Sequence, residues 1–404
     1  MRRILTCVFM LLLSATAMAQ VPGRADVAKV PANTQVWVPV ERTTEQITRI
    51  EQGVIKQKID TWQIDFHRNE AYACGVSGHY TFLVVEPKNS PGKEAPLWVY
   101  FHGGGSGYFD GQGNYQTLSF QNKDTWNNES PIQVLGKINP NHPVIKKGRL
   151  VDNTLARRLN EGYRLLVVSY GDHDLYSGVG TPYPNNPKGG EVNGLQASMS
   201  AVEYTVANYP TTHVFAHGTS AGSLGAYALG FAFAQEDVDL NGVVMDSGIA
   251  SQRHIPVNEA FAGKKGFPRA GGYKTDGIIE KVGVMIDPDY PFHPEAAVRA
   301  GYKSVPMLVI AGEKDRFFGG TFPPIEQAKK AGLSNSLWIH DGLRQAIDEQ
   351  EDSPHKILMI KGEKHVPTNK DGNPVHDEVD AFIRRVVASE PPHPFKKLSS
   401  HERP

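Results

Sequence analysis

Val214-Phe215-Ala216-His217-Gly218-Thr219-Ser220-Ala221-Gly222-Ser223 is the stretch that decides how this chain is read. An apolar run stops at a Gly-x-Ser-x-Gly turn, and Ala221 to Gln235, rich in Ala and Leu, follows it. That is the pattern of a strand reversing sharply into a helix. The residue at the apex of such a turn has a strained backbone, so its neighbours two positions away must be nearly free of side chain. Ser220 then stands exposed, and the positive end of the following helix favours an anionic intermediate beside it. In a chain with 40 glycines the motif alone recurs by chance. Its place between an apolar strand and a helix marks Ser220 as a nucleophile.

A second glycine cluster lies upstream. Leu97-Trp98-Val99-Tyr100-Phe101 reads as a strand and ends in His102-Gly103-Gly104-Gly105. Acyl transfer creates a negative oxygen that free backbone N–H groups must meet. Gly103, Gly104 and Ala221, the residue after the nucleophile, are the expected donors. Downstream, Met307-Leu308-Val309-Ile310 runs into Ala311-Gly312-Glu313-Lys314-Asp315, and Ile357-Leu358-Met359-Ile360 into Lys361-Gly362-Glu363-Lys364-His365. Asp315 and His365 thus each follow a strand, where active sites of such sheets form. The order Ser220, Asp315, His365 is the chain order Ser-Asp-His of a strand-to-helix nucleophile elbow. Each partner has a rival. Asp246 follows Val243-Val244-Met245 and reads as a structural turn cap; His376 opens the last helix, where an exposed residue is expected. His217 reads as a packed neighbour of the turn.

The rest of the chain sets the fold class. Strands are expected at Tyr80–Glu86, Leu97–Phe101, Arg164–Ser169, His213–His217, Val243–Met245, Pro306–Ile310 and Lys356–Ile360. Several are apolar at every position, as strands buried on both faces are. Between them, Leu195, Met199, Val202 and Val206 keep helical spacing, as do Val379, Phe382, Ile383, Val386 and Val387. Alternating strands and helices imply an α/β fold: a doubly wound, mostly parallel sheet with helices on both faces. Residues 20–389 form one domain in this reading, with cap-like insertions at about 106–148, 171–193 and 251–304 and a flexible tail at 390–404. The first two insertions hold Tyr108, Phe109, Tyr115, Phe120, Trp126, Tyr176 and Tyr183. Tyr108, Phe109, Trp126 and Tyr176 are candidate substrate contacts, and small cores internal to the loops are the alternative.

Composition narrows the partners. With 42 Lys and Arg against 43 Asp and Glu, the chain lacks the basic surplus that phosphate neutralisation needs, so no nucleic-acid partner is expected. Arg2 and Arg3, the apolar run Ile4 to Leu13 and Ala17-Met18-Ala19 read as a signal peptide over 1–19, implying export to the periplasm or medium. The apolar run is too short for a membrane anchor. Its removal leaves Cys74 as the single cysteine, expected to be a small packed residue, and precludes an intramolecular disulfide. Asp172-His173-Asp174 and Asp287, Asp289, His293 and Glu295 offer oxygen ligands but no zinc spacing. They read as solvated loops, with a structural calcium as the alternative. No phosphate-binding loop is present. No metal and no cofactor are expected.

Together the strand–turn–helix, the His-Gly-Gly-Gly turn and the ordered Ser220, Asp315 and His365 resemble the α/β-hydrolase superfamily over about residues 70–390. Cys74-Gly75 ahead of Tyr80-Thr81-Phe82, the run Tyr100 to Gly105, Thr219 to Ser223 and Asp246-Ser247-Gly248 look like the bacterial pectin acetylesterase-like branch. The chain departs from that branch in having Gly107-Tyr108 near the glycine turn, where cysteines often stand, and in lacking paired cysteines. The resemblance implies a serine esterase that removes acetyl or other short acyl groups from a polysaccharide. The residues by themselves leave open a lipid or polyester esterase, a serine peptidase, and a silent hydrolase scaffold that binds a ligand. The expected partner is a small-molecule or polymeric ester.

Overall fold

The computed structural model describes residues 80–117, 153–261 and 293–389 apart from short gaps, and the backbone of strands between 35 and 69. The expected signal peptide, Cys74, Phe120, Trp126, Asp172, His173, Asp287, Asp289 and the tail from 390 lie outside the described residues. One nine-stranded sheet organises the chain. Its strands are β1 (Gln35–Val38), β2 (Ile64–Asn69), β3 (Tyr80–Val85), β4 (Ala95–Phe101) and β5 (Arg164–Val168). They continue with β6 (Thr211–Thr219), β7 (Gly242–Asp246), β8 (Met307–Gly312) and β9 (Lys356–Ile360). The spatial order is β1-β2-β3-β5-β4-β6-β7-β8-β9. The strands pair antiparallel up to β5 and parallel from β5 to β9. All seven strands expected from the sequence are present, with ends shifted by up to two residues.

Side chains alternate across this sheet with the period of two that a pleated strand dictates. Leu97, Val99 and Phe101 of β4 point into one apolar layer, while Trp98 and Tyr100 point into the other. Val243 and Met245 of β7 divide from Val244 in the same way. The first layer is covered by α2 (Gly194–Asn208), α3 (Ala221–Gln235), α5 (Pro294–Arg299) and α7 (Asn335–Glu349). The second is covered by α1 (Thr154–Asn160) and α8 (Val375–Ser389). A short α4 (His254–Phe261) packs at the edge through Val257 and Phe261 onto Phe318 and Ile339; α6 (Glu326–Lys330) precedes α7. This order, with helices on both faces and a serine at the β6–α3 turn, is the α/β-hydrolase fold.

The insertions correct part of the sequence reading. Two small hairpins, Gly107–Phe109 with Tyr115–Thr117 and Thr181–Pro182 with Glu191–Val192, occupy the described parts of the first two. Phe109 is buried with Tyr183 and Val192, its ring edge-on to both Tyr115 and Tyr183. It therefore serves the loops' own core and is no substrate contact. The third insertion is built partly of α4 and α5. The described members of the charged clusters, Asp174, His293 and Glu295, are not solvated loop residues either. Asp174 is buried, accepting from the Tyr80 hydroxyl (2.9 Å) and the Tyr176 N–H (2.9 Å). His293 is buried as the N-cap of α5, and Glu295 pairs with Arg299 at 3.0 Å.

At the amino ends of the parallel strands, Arg164 and Glu86 form a buried ion pair at 2.9 Å. The guanidinium also donates to the carbonyls of Pro210 (2.7 Å) and Lys93 (3.0 Å), so its charge is fully dressed.

Candidate active site

Strand register brings the site residues level. Gly218 stands opposite Phe101, Thr219 opposite Asp246, Asp246 opposite Ile310 and Gly312 opposite Ile360. The segments after β4, β6, β7, β8 and β9 therefore emerge side by side at one edge of the sheet. They carry Gly103, Ser220, Ser247, Asp315 and His365.

The elbow has the strain its sequence demands. Ser220 has φ +55°, in the left-handed region that costs an ordinary residue about 1–3 kcal/mol. A Cβ on Gly218 would come 1.9 Å from the carbonyl oxygen of Gly222, and one on Gly222 would come 2.1 Å from that of Phe101. Both contacts are with backbone, which cannot step aside. The Ser220 N–H donates to the Asp246 carbonyl (2.8 Å), and the Ser223 hydroxyl donates to the same oxygen (2.6 Å).

Asp315 is fully buried and caps the short turn Arg316–Phe318, its Oδ1 accepting from the Phe317 N–H at 2.9 Å. Its Oδ2 lies 2.7 Å from Nδ1 of His365. A carboxylate only accepts, so the imidazole proton sits on Nδ1 and Nε2 is left as the basic nitrogen. Nε2 is buried and has no hydrogen-bond partner among the described residues. The two loops are laced by main chain: Lys314 N–H donates to the Glu363 carbonyl (2.8 Å) and Glu313 N–H to that of Ile360 (3.1 Å). The Phe317 ring lies 4.3 Å from the His365 ring, centroid to centroid. Behind Asp315, Phe318 packs between His254 and His340, and burial lowers the pKa of both rings, that of His254 to about 4. Neutral histidines there leave Asp315 free for His365.

The glycine turn is closely seated. A Cβ on Gly103 would come 2.7 Å from both Ser220 Cβ and the Thr219 carbonyl oxygen. The Gly103 N–H donates to Thr219 Oγ1 (3.2 Å), an oxygen that also bonds the Tyr100 hydroxyl (3.1 Å). This corrects the expectation that Gly103 is an oxyanion donor, because its N–H is spent on Thr219. Gly104 and Ala221 remain as candidates, Ala221 as the first residue of α3, whose N–H has no partner within the helix. Tyr176 is likewise corrected as a substrate contact. It is buried, stacked on Tyr170 at 4.4 Å, and donates its hydroxyl to the His102 carbonyl at 3.0 Å. It holds the glycine turn from below. Tyr108 lies in a hairpin strand, but its side chain is outside the described residues.

The rivals find other work. Asp246 is buried and bonded to Ser247 and Thr368, not to His365. Burial pushes its carboxyl up to about 6, opposed by the hydrogen bonds from Thr368 and Ser247. His376 is fully buried, contrary to expectation. It joins α8 to α1 through Thr154 (2.9 Å) and bonds the Lys370 carbonyl (2.8 Å). His217 packs between Trp98 and Tyr100. Among the described residues no three His, Cys, Asp or Glu side chains gather as a metal site. Sequence reading assigned no role to Thr219, Ser247 and Thr368; Thr219 and Ser247 adjoin Ser220 and Asp246 within quoted motifs, and Thr368 lies three residues after His365.

No protein-family model matches the chain and no curated protein matches it. Among solved structures it is similar to an S-formylglutathione hydrolase from Agrobacterium tumefaciens, at 11% identity over 80% of this chain and 96% of that one, with a TM-score of 0.46. It is similar to an arylesterase at 11% identity, over 86% and 88% of the two chains, with a TM-score of 0.45. Fungal esterases from Rhizomucor miehei show 13% identity, over 90% and 95%, with a TM-score of 0.45.

Proposed function

We propose that this chain is a serine hydrolase of carboxylic esters. The observation that carries the reading is the buried Asp315 carboxylate 2.7 Å from His365 Nδ1, with the opposite nitrogen unpartnered among the described residues and the strained Ser220 held two strands away at the same edge of the sheet. Ser220 Oγ attacks the ester carbonyl, and His365 Nε2 takes its proton. Asp315 keeps the imidazole in the correct tautomer and stabilises the cation that forms. The N–H groups of Gly104 and Ala221 receive the oxyanion. His365 then returns the proton to the leaving alcohol, and water, activated by the same imidazole, releases the acid and regenerates Ser220. No cofactor enters this cycle.

The substrate we infer is a short acyl ester on a polysaccharide, met by an exported enzyme; the sequence resemblance and the amino-terminal segment support this. The test is hydrolysis of p-nitrophenyl esters from acetate to palmitate by the protein and its Ser220→Ala variant. Turnover that falls steeply with acyl length and drops by about 10⁴-fold or more in the variant is expected. Equal rates in the two proteins would overturn the esterase reading, and a maximum at long chains would move the substrate to lipids or polyesters.

A further inference from the structure

We propose that Asp246 positions the general base: its carboxylate, acting through Thr368 and Ser247, holds the loop that carries His365. The proposal rests on the reading of His365 as that base.

The geometry is a clamp with three donors on one carboxylate. Thr368 donates its N–H to Asp246 Oδ2 at 2.8 Å and its hydroxyl to the same oxygen at 2.5 Å. Ser247 donates its hydroxyl to Oδ1 at 2.8 Å. The Ser247 oxygen in turn accepts the N–H of Val366, the residue after His365, at 2.8 Å. The hydrogen bonds from Asp246 thus reach the chain on both sides of Pro367. Thr368 Oγ1, having given its proton to Asp246, can accept from His217 Nε2 at 3.3 Å. The side chain of Asp246 holds the base's loop while its main-chain carbonyl holds the N–H of Ser220. One residue on β7 thereby sets the nucleophile's strand end and the base's loop relative to each other.

The backbone between them requires such a clamp. Val366 has φ +55° and ψ +66°, a conformation that a β-branched residue avoids and that a following proline disfavours further. Ser247 has φ +60°. Strained residues persist only where surrounding contacts over-determine them. Here the overdetermining contacts converge on a buried group that must accept three hydrogen bonds. An acceptor-only carboxylate can do this; an amide, which presents a donor on one side, cannot. Were Asp246 only a turn cap, its bonds would close within its own turn. Two of the three instead cross more than 120 residues of sequence to the loop bearing His365.

The experiment uses Thr368→Val, Thr368→Ser and Asp246→Asn in the full chain, with two readouts. The first is kcat and KM on p-nitrophenyl acetate. The second is the low-field proton resonance of the His365 Nδ1–H bonded to Asp315, which needs no substrate. Thr368→Val is expected to lower kcat by about tenfold to a hundredfold with KM unchanged, since small misplacements of a reacting group cost that much. It should also move or broaden the resonance. Thr368→Ser, which keeps the hydroxyl, should restore both, and Asp246→Asn should behave as Thr368→Val does. If Asp246→Asn does not fold, the threonine pair decides. Wild-type kcat and an undisturbed resonance in Thr368→Val would overturn the proposal, as would a serine variant as impaired as the valine one. Should the parent protein hydrolyse no ester, the hydrolase reading fails and the resonance alone decides the clamp.

Discussion

His254→Gln should flatten the acid side of this protein's stability profile. The ring is buried against Phe318, and its Nε2 bonds the Phe317 carbonyl at 3.4 Å. Burial lowers its pKa from 6.5 to about 4. The unfolded chain therefore takes up a proton as pH falls through 6.5, while the folded ring resists until about 4. Stability from this residue is complete above 6.5, is lost on the way down and levels off below 4. The loss works out at about 2 kcal/mol by pH 5 and about 3 kcal/mol by pH 4. His293, lowered to about 4 chiefly by burial, adds a fall of the same sign. Asp246 acts oppositely: with its carboxyl raised from 3.8 to about 6, its contribution is best below pH 4 and declines by about 3 kcal/mol as pH rises through 6. Total stability thus mixes opposing slopes, and only the difference between parent and variant isolates His254. Urea unfolding at pH 8, 5 and 4 measures it. Between pH 8 and 4 the difference should swing by about 3 kcal/mol in favour of the glutamine variant. Parallel profiles, with a difference constant to within about 1 kcal/mol, would refute the argument.

Asp315→Asn should keep the fold, because an amide oxygen can still accept the Phe317 N–H, yet lower kcat by about 10⁴-fold through the wrong imidazole tautomer. Ester turnover within tenfold of the parent, beside an unchanged circular dichroism spectrum, would contradict the assigned role. Gly222→Ala places a Cβ 2.1 Å from the Phe101 carbonyl oxygen and should cost more than about 3 kcal/mol, read as a lowered Tm. An alanine variant as stable as the parent would show that the elbow is looser than described. Glu86→Leu should cost about 3–5 kcal/mol by stranding the Arg164 charge. The double variant Glu86→Leu, Arg164→Met should recover much of that in denaturant titrations, and additive losses would argue against a coupled pair.

Much of this molecule is legible from local pattern. Buried parallel strands carry runs that are apolar at every position, so residues 165–168 and 307–310 announce themselves without any partner in view. The elbow is equally local: its glycines are dictated by contacts within five residues and with the adjoining strand end. Asp315 and His365 could be nominated because loops at the carboxyl ends of parallel strands converge by construction.

What sequence could not supply is where each polar group spends its hydrogen bonds. Gly103 belongs to a glycine turn in any reading, yet its N–H goes to Thr219 because β4 and β6 are neighbours in the sheet. Tyr176 and Phe109 read equally as substrate contacts or as cores of the loops, and only packing shows them turned inward. His376 opens an amphipathic helix, but α1 covers it and claims its Nδ1. Asp246 and Thr368 are 122 positions apart, and no periodicity links them. Periodicity and turn chemistry are near-neighbour properties, so the sequence by itself determined seven strands of the main sheet, the helices α2, α3 and α8, and the strained serine. Hydrogen-bond partnership depends on which strand lies beside which, so the tertiary structure alone decided which donors stay free and what holds the histidine in place.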